Sequence, residues 1–242
     1  MSFYDLHVHS AFSEGTSSIE QLASTAKVLG FNGICFAEYF NGEEQIKKLQ
    51  TELQKVKEKV GIEVFLGFEA RNSKELNVLA NKRKKFDVLL VHGGNLSLNR
   101  EAVETPEVDI LTHPEAGRYD SGLNHVMMKL AAKNDVAIEI NFRQVLINSK
   151  KSRNKILQFM RTNVMLAKKY HTPIIICSGA VTHFELRDPY SLIAMGCQLG
   201  LSWKEAKESV SKIPQNIIMQ NKERRDENWI LSGVKIIKNI NK

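Results

Sequence analysis

Short apolar runs alternate with longer amphipathic stretches through most of the chain. The apolar runs fall at residues 3–8, 33–37, 62–68, 86–91, 110–111, 136–140 and 174–177. Each is brief, rich in β-branched residues and without a polar face, as expected of parallel strands covered on both sides. Between them, apolar positions recur at spacings of three and four. Residues 43–60 carry Ile46, Leu49, Leu53, Val56 and Val60, and Gly61 marks the stop. Residues 18–29 open on serines suited to capping and end before Gly30. Helical patterns continue at 74–84, 122–134, 151–170, 190–199 and 202–213.

Seven strands alternating with helices predict an α/β protein of βα repeats. A closed barrel and an open doubly wound sheet both produce that pattern. An open nucleotide-binding sheet would show a Gly-rich turn after its first strand. Here the turn reads His7-Val8-His9-Ser10-Ala11-Phe12-Ser13-Glu14-Gly15. Polar residues also recur where successive strands end: His7 and His9, Glu38, Glu69, His92, His113, Asn141 and Ser178. A polar ring at strand C-termini is the functional face of a barrel. The expected fold is therefore a TIM-like (β/α) barrel, a single domain over residues 1–220, with a basic C-terminal extension at 221–242. That extension carries an amphipathic patch of Trp229, Ile230, Leu231, Val234, Ile236 and Ile237. It reads as a packed terminal segment or a partner-binding tail.

At 242 residues the chain can bury one sizeable core, and 43% hydrophobic with 25% charged residues is ordinary for a soluble globular protein. No apolar run approaches the roughly 20 residues that span a bilayer. The N-terminus has no basic region followed by an apolar stretch. Both features lead to an expectation of a cytoplasmic protein without a membrane partner. Cys35, Cys177 and Cys197 form an odd set with no CxxC, and are read as buried structural thiols. A net charge of +7 favours a polyanionic partner without requiring one.

The densest chemistry is Asp5-Leu6-His7-Val8-His9-Ser10. Period-two geometry at a strand end aims both imidazoles the same way, so they can share one metal ion. The segment from Asp5 to Gly15 resembles the opening motif of the polymerase-and-histidinol-phosphatase (PHP) superfamily, DLHxHSxxSDG, with Glu14 where Asp is usual. Gly67-Phe68-Glu69, His92 and Leu111-Thr112-His113-Pro114-Glu115 extend the likeness. In that superfamily's enzymes such positions hold metal ions that activate water for phosphoester hydrolysis. Two departures stand against this chemistry. Ala37-Glu38-Tyr39 replaces Thr-Asp-His, and Ser178-Gly179-Ala180-Val181 replaces Ser-Asp-Ala-His. A phenol is a poor metal ligand beside an imidazole, and glycine supplies no side chain. His183 follows out of register. No catalytic residue and no resident metal are expected; His7, His9, Glu69 and His113 remain as vestigial ligands.

The same departures resemble the archaeal and eukaryotic ribonuclease P protein that descends from this barrel, the archaeal component 3 or p30 family. Ser178-Gly179-Ala180, Arg187-Asp188-Pro189-Tyr190-Ser191-Leu192, Glu139-Ile140-Asn141-Phe142 and Ile213-Pro214-Gln215-Asn216-Ile217-Ile218 carry the likeness, which covers about residues 3–220. The modest length suits an archaeal member. The resemblance implies a subunit of a tRNA-processing endoribonuclease whose RNA, with magnesium, performs the cleavage. It also implies a small ferredoxin-like partner protein, component 2, further protein subunits, and precursor tRNA as holoenzyme substrate. No cofactor is implied for this chain. The competing reading is a PHP-type phosphoesterase with an altered ligand set.

Candidate RNA contacts are Arg71, Arg100, Arg118, Arg143 and Arg187, placed past strand ends or in βα loops, because guanidinium forks pair bidentately with phosphate. Each is also explicable as a solvated loop charge. Asn72, Asn95, Asn99 and Asn141 would add neutral donors. Two Lys-rich stretches, 81–85 and 149–155 with Lys150 and Lys151, would extend the positive surface; each also fits a helix end or a flexible loop. Aromatic and basic residues do not interleave along the chain, which favours structured RNA read by shape and backbone. Candidate partner surfaces are the helix at 190–199 and the cluster Val126-Met127-Met128.

Overall fold

The computed structural model describes residues 2–226, together with the backbone of two short strands, Trp229–Leu231 and Val234–Lys235. The seven apolar runs form β1 (Tyr4–Val8), β2 (Gly33–Glu38), β3 (Glu63–Ala70), β4 (Val88–His92), β5 (Ile110–Thr112), β6 (Ala137–Asn141) and β7 (Ile174–Cys177). Each strand pairs in parallel with the next, in the order β1 to β7. Closure comes just past β7. The Gly179 amide donates to the His7 carbonyl at 3.1 Å, and the His9 amide to the Ala180 carbonyl at 2.9 Å. A parallel bridge between Val8 and Ala180 results, so the first strand meets the last and no edge is left open. The expected (β/α) barrel is present, with seven strands and this short closing bridge.

Around it lie α1 (Ile19–Val28), α2 (Glu43–Val60), α3 (Ser73–Asn81), α4 (Leu96–Glu104), α5 (His125–Lys133), α6 (Phe142–Ile147), α7 (Lys150–Tyr170), α8 (Pro189–Gln198), α9 (Trp203–Glu208) and α10 (Lys212–Arg224). Strand alternation sorts the apolar side chains into two layers. Leu6, Cys35, Ala37, Phe65, Val88, Leu90, Ile110, Ala137, Ile175 and Cys177 fill the barrel. Their neighbours, such as Ile34, Phe36, Leu66, Phe68, Leu89 and Val91, pack outward with Leu22, Leu49, Leu53 and Leu76 of the helices. Burial pushes the Cys35 and Cys177 thiols up, as suits inert core residues. Met127 and Met128 are buried too, so that pair is core rather than partner surface, with Val126 beside them half exposed.

The sequence placed a domain boundary at 220, inside what is a continuous helix. α10 sends Ile217 and Ile218 into the barrel's interior cluster, with Ile213 packed against it, and Asn221 is also buried. The helix closes the barrel floor, so the barrel unit extends through it. The side chains of the proposed amphipathic patch at 229–237 lie outside the described residues.

Residues 81–85 sit where α3 ends, beside that floor, and their role differs from the expected positive surface. Arg83 is buried, donating to the carbonyls of Glu107 (2.9 Å), Phe86 (3.2 Å) and Asp87 (3.1 Å) while pairing with Asp109. Lys82 and Lys85 both pair with Glu43 of α2. These cations pin loops to one another. Among the described residues no helix is long and apolar enough to cross a membrane.

Candidate functional site at the barrel mouth

At the C-terminal ends of the strands, inward-facing side chains change from apolar to ionisable. β1 delivers His7 and, just beyond it, His9; β3 delivers Glu69; β4 His92; β5 leads to His113; β6 delivers Glu139. His7 Nδ1 lies 2.6 Å from Glu139 Oε1, and His7 Nε2 lies 3.1 Å from His9 Nε2. Glu69 stands 3.7 Å from His7 Nε2, 3.6 Å from His9 Nε2 and 3.4 Å from His92 Nδ1. Thr112 donates to Glu69 Oε1 at 2.5 Å. His113 Nδ1 is 3.7 Å from Glu139 Oε2.

Burial disfavours charge on all of these groups, and proximity decides which keep it. For His7, burial is outweighed by the carboxylates of Glu139, Glu69 and Asp5, which hold its pKa up at about 9. Burial and then the charge on His7 push His9 down to about 4. Burial also takes His113 down to about 4, against the pull of Glu139. Glu69 and Glu139 overcome their burial through the surrounding imidazoles and stay below the usual carboxylate range. Glu115, buried without such partners, rises to about 8.

The positions where the sequence departs from a hydrolase are filled by other contacts. The Tyr39 phenol donates to Glu14 at 2.8 Å, beneath the Arg71 guanidinium, which lies 4.4 Å from its ring. Glu38 is fully buried and accepts from the amide and hydroxyl of Ser10 (3.1 and 2.5 Å), bracing the loop after β1. Gly179 has φ +62°, and a Cβ there would meet Asn141 Nδ2 at 2.2 Å. Asn141 occupies that space and donates to Glu139 Oε1 at 3.1 Å. His183 bonds Ser17 Oγ at 2.8 Å, outside the cluster. Glu139 and His92 join the four anticipated ligands. The signal for Glu139 was available: it shares an inward-facing alternation with Ala137 and Asn141.

Most of the candidate cations share this end of the barrel. Arg71 follows β3, Arg118 lies between β5 and α5, Arg143 is in α6, Lys150 and Lys151 open α7, and Arg187 precedes α8. Arg100 is the exception. It sits within α4, paired to Glu104 at 2.8 Å, on the flank of the barrel rather than in a βα loop. The others are oriented by neighbours: Arg71 by Glu75 (2.9 Å), Arg118 by Asp120 (2.6 Å), Arg143 by Glu185 (3.0 Å). Arg187 is held by the carbonyls of Phe184 and Leu186 (2.9 and 2.8 Å).

The asparagines expected to contact phosphate are committed elsewhere. Asn72, Asn95 and Asn141 cap α3, α4 and α6, and Asn99 is buried, donating to the carbonyls of Pro114 and Gly122. The fold also brings together aromatic and basic groups that are apart in the chain. Lys155 lies 4.4 Å from the exposed Tyr119 ring, and Arg187 lies 5.5 Å from Phe142.

The start of α7 is the most informative feature. Its first turn holds Lys150, Lys151 and Arg153, no acidic residue, and no side-chain cap on its amides. Helix N-termini carry partial positive charge and favour anions. α1, α2 and α9 obey this with Glu20, Glu43 and Glu44, and Glu205. α7 stacks positive charge on positive charge, an arrangement that an external polyanion would stabilise.

Fold and mouth together define a (β/α) barrel with a buried ionisable cluster at its mouth and cations around its rim. In fold alone it is similar to a Xaa-Pro dipeptidase (TM-score 0.58, 11% identity, covering 92% of this chain and 76% of that one). Closer likenesses are specific. The family model for RNase P subunit p30 matches residues 2–226. Ribonuclease P protein component 3 of Methanosarcina mazei is 37% identical over 238 residues, 97% of this chain and 95% of that protein. The component 3 of Methanothermobacter thermautotrophicus is 30% identical over 98% of this chain and 96% of its own length. A chain in the cryo-EM structure of archaeal ribonuclease P with mature tRNA superposes with TM-score 0.81 at 31% identity, covering 98% of this chain and all of that one. The chain belongs to the ribonuclease P subunit p30 family.

Proposed function

We propose that this chain works as a protein subunit of ribonuclease P, the ribonucleoprotein that removes the 5′ leader from precursor tRNA, and that it supports the catalytic RNA through the mouth end of its barrel. Family membership over residues 2–226 supports the assignment to the holoenzyme. The observation that carries the RNA contact is the uncapped, cationic first turn of α7, which lies at the same end of the barrel as Arg118, Arg143 and Arg187. Phosphate oxygens would satisfy the free amides and the lysines together. Ribonuclease P RNA and other protein subunits are its partners, and precursor tRNA is the substrate of the assembly. We assign it further a small ferredoxin-like partner, component 2, and a cytoplasmic location.

Catalysis rests with the RNA and its magnesium. A phosphoesterase reading of the barrel would need ligands at the positions of Tyr39 and Gly179. Tyr39 is hydrogen-bonded to Glu14, and Asn141 occupies the space beside Gly179. The test is pre-tRNA cleavage by RNA reconstituted with the other subunits, with and without this chain. The expected outcome is a slower rate or a raised magnesium requirement in its absence. Unchanged kinetics, or turnover of small phosphate esters by the chain alone, would overturn the reading.

A further inference from the structure

Three buried residues at the mouth bring ligand atoms close enough to share one ion. His7 Nε2 lies 3.1 Å from His9 Nε2 and 3.7 Å from Glu69 Oε1, and His9 Nε2 lies 3.6 Å from Glu69 Oε2. The two distances to Glu69 are too long for hydrogen bonds. Bonds of 2.0–2.2 Å to a tetrahedral ion place its ligands about 3.3–3.6 Å apart. Glu69 is buried and splits its oxygens unequally. Oε1 is held by Thr112, while Oε2 has no hydrogen-bond partner among the described residues. His7 is pre-oriented as well: Glu139 engages Nδ1 at 2.6 Å, which directs Nε2 toward His9 and Glu69. A carboxylate on the far nitrogen of a ligating histidine is the usual outer support of a metal site.

We infer that His7, His9 and Glu69 bind a single divalent transition-metal ion, with Glu139 as the positioning residue behind His7. Two imidazoles and one carboxylate suit zinc, and cobalt as its spectroscopic substitute. Two other trios are offered, His7 with His113 and Glu139, and Glu69 with His92 and His113. In the one built on Glu139, His7 Nδ1 is already committed to that carboxylate; in the one built on His92, the imidazole is part exposed. The ion would tie the loop after β1 to β3 and so steady the rim that carries Arg71 and Tyr39. It is a structural ion on this reading. It departs from the expectation of no metal because the fold adds Glu139 and leaves Glu69 Oε2 unspent. The inference stands apart from the RNA assignment, since it concerns the protein alone.

The experiment uses the full chain, stripped with chelator and then exposed to zinc chloride alone. Metal content after gel filtration should be one equivalent per chain, and the melting temperature should rise with zinc. Cobalt chloride should give visible d–d absorption. Glu139→Gln should weaken zinc about 10–100-fold. A His7→Ala, His9→Ala double variant should lose the ion, and His183→Ala should keep it. If the double variant does not fold, wild-type stoichiometry and the Glu139→Gln affinity decide. Zinc below about a tenth of an equivalent on the wild-type chain would overturn the proposal, leaving a proton on His7 as the cluster's charge balance. Undiminished binding by the double variant would overturn it equally.

Discussion

Gly179 shows how one residue reshapes the mouth. Its left-handed backbone puts its amide on the His7 carbonyl and so makes part of the barrel's closing bridge. Alanine there would meet both an unfavourable φ and Asn141 at 2.2 Å. Gly179→Ala is expected to cost about 1–3 kcal/mol in stability. Urea unfolding should read this as a lowered midpoint with an unchanged slope. A destabilisation below about 0.5 kcal/mol would mean that Asn141 swings aside freely and the backbone carries no strain. The missing side chain at 179 was legible in the sequence. That Asn141 fills the gap was not, because 38 positions separate the two residues and only the β6–β7 pairing brings them together. The same holds for Glu139, whose role depends on a histidine 132 positions away.

Among the elements, helix ends separate structural charge from charge that meets a partner. α9 is closed by a capping box: the Ser202 hydroxyl accepts from the Glu205 amide, and the Glu205 carboxylate accepts from the Ser202 amide. That backbone hydrogen bond, together with Lys168 at 3.0 Å, takes Glu205 from 4.5 down to about 2. A depressed carboxylate stabilises the fold above its unfolded pKa and loses that contribution on acidification. The Glu205 contribution is therefore present above about pH 4.5 and disappears toward about pH 2. Thermal melts of Glu205→Gln should fall below wild type at neutral pH and converge with it through that window. A constant difference would assign the effect to packing. Long helices such as α2 were legible because their apolar stripes repeat over several turns. α4 and α6 were not: α4 has nine residues with Asn99 on its buried face, and α6 has six with none buried. The helix expected at 202–213 is in fact α9 followed by the start of α10, and Pro214 sits within the first turn of α10, where proline is tolerated.

Among the described residues the cations partition by use. Arg83, Lys82 and Lys85 at the floor and Arg71, Arg118 and Arg143 at the rim are held in ion pairs, while Lys150 and Lys151 open α7 with no acidic residue in its first turn. RNA binding by the rim should weaken steeply with salt, since phosphate pairing releases counterions. Lys150→Gln with Lys151→Gln should lower the log–log salt slope by about 1 for each phosphate these lysines neutralise. Filter binding of ribonuclease P RNA across a salt series measures it. Lys82→Gln should leave the slope unchanged, and an equal drop there would undo the partition.

By itself the sequence determined the seven strands, the polar ring at their ends that favours a barrel, the paired imidazoles at the first strand end and the family they resemble. Those signals are local: period two, period three to four, and short motifs at strand ends. Tertiary structure alone decided which basic residues are spent on internal pairs, that the asparagines cap helices, that α10 is the barrel floor, and that Glu69 keeps one oxygen unused. Each depends on distances between residues remote in the chain, and only closure of the barrel sets those distances.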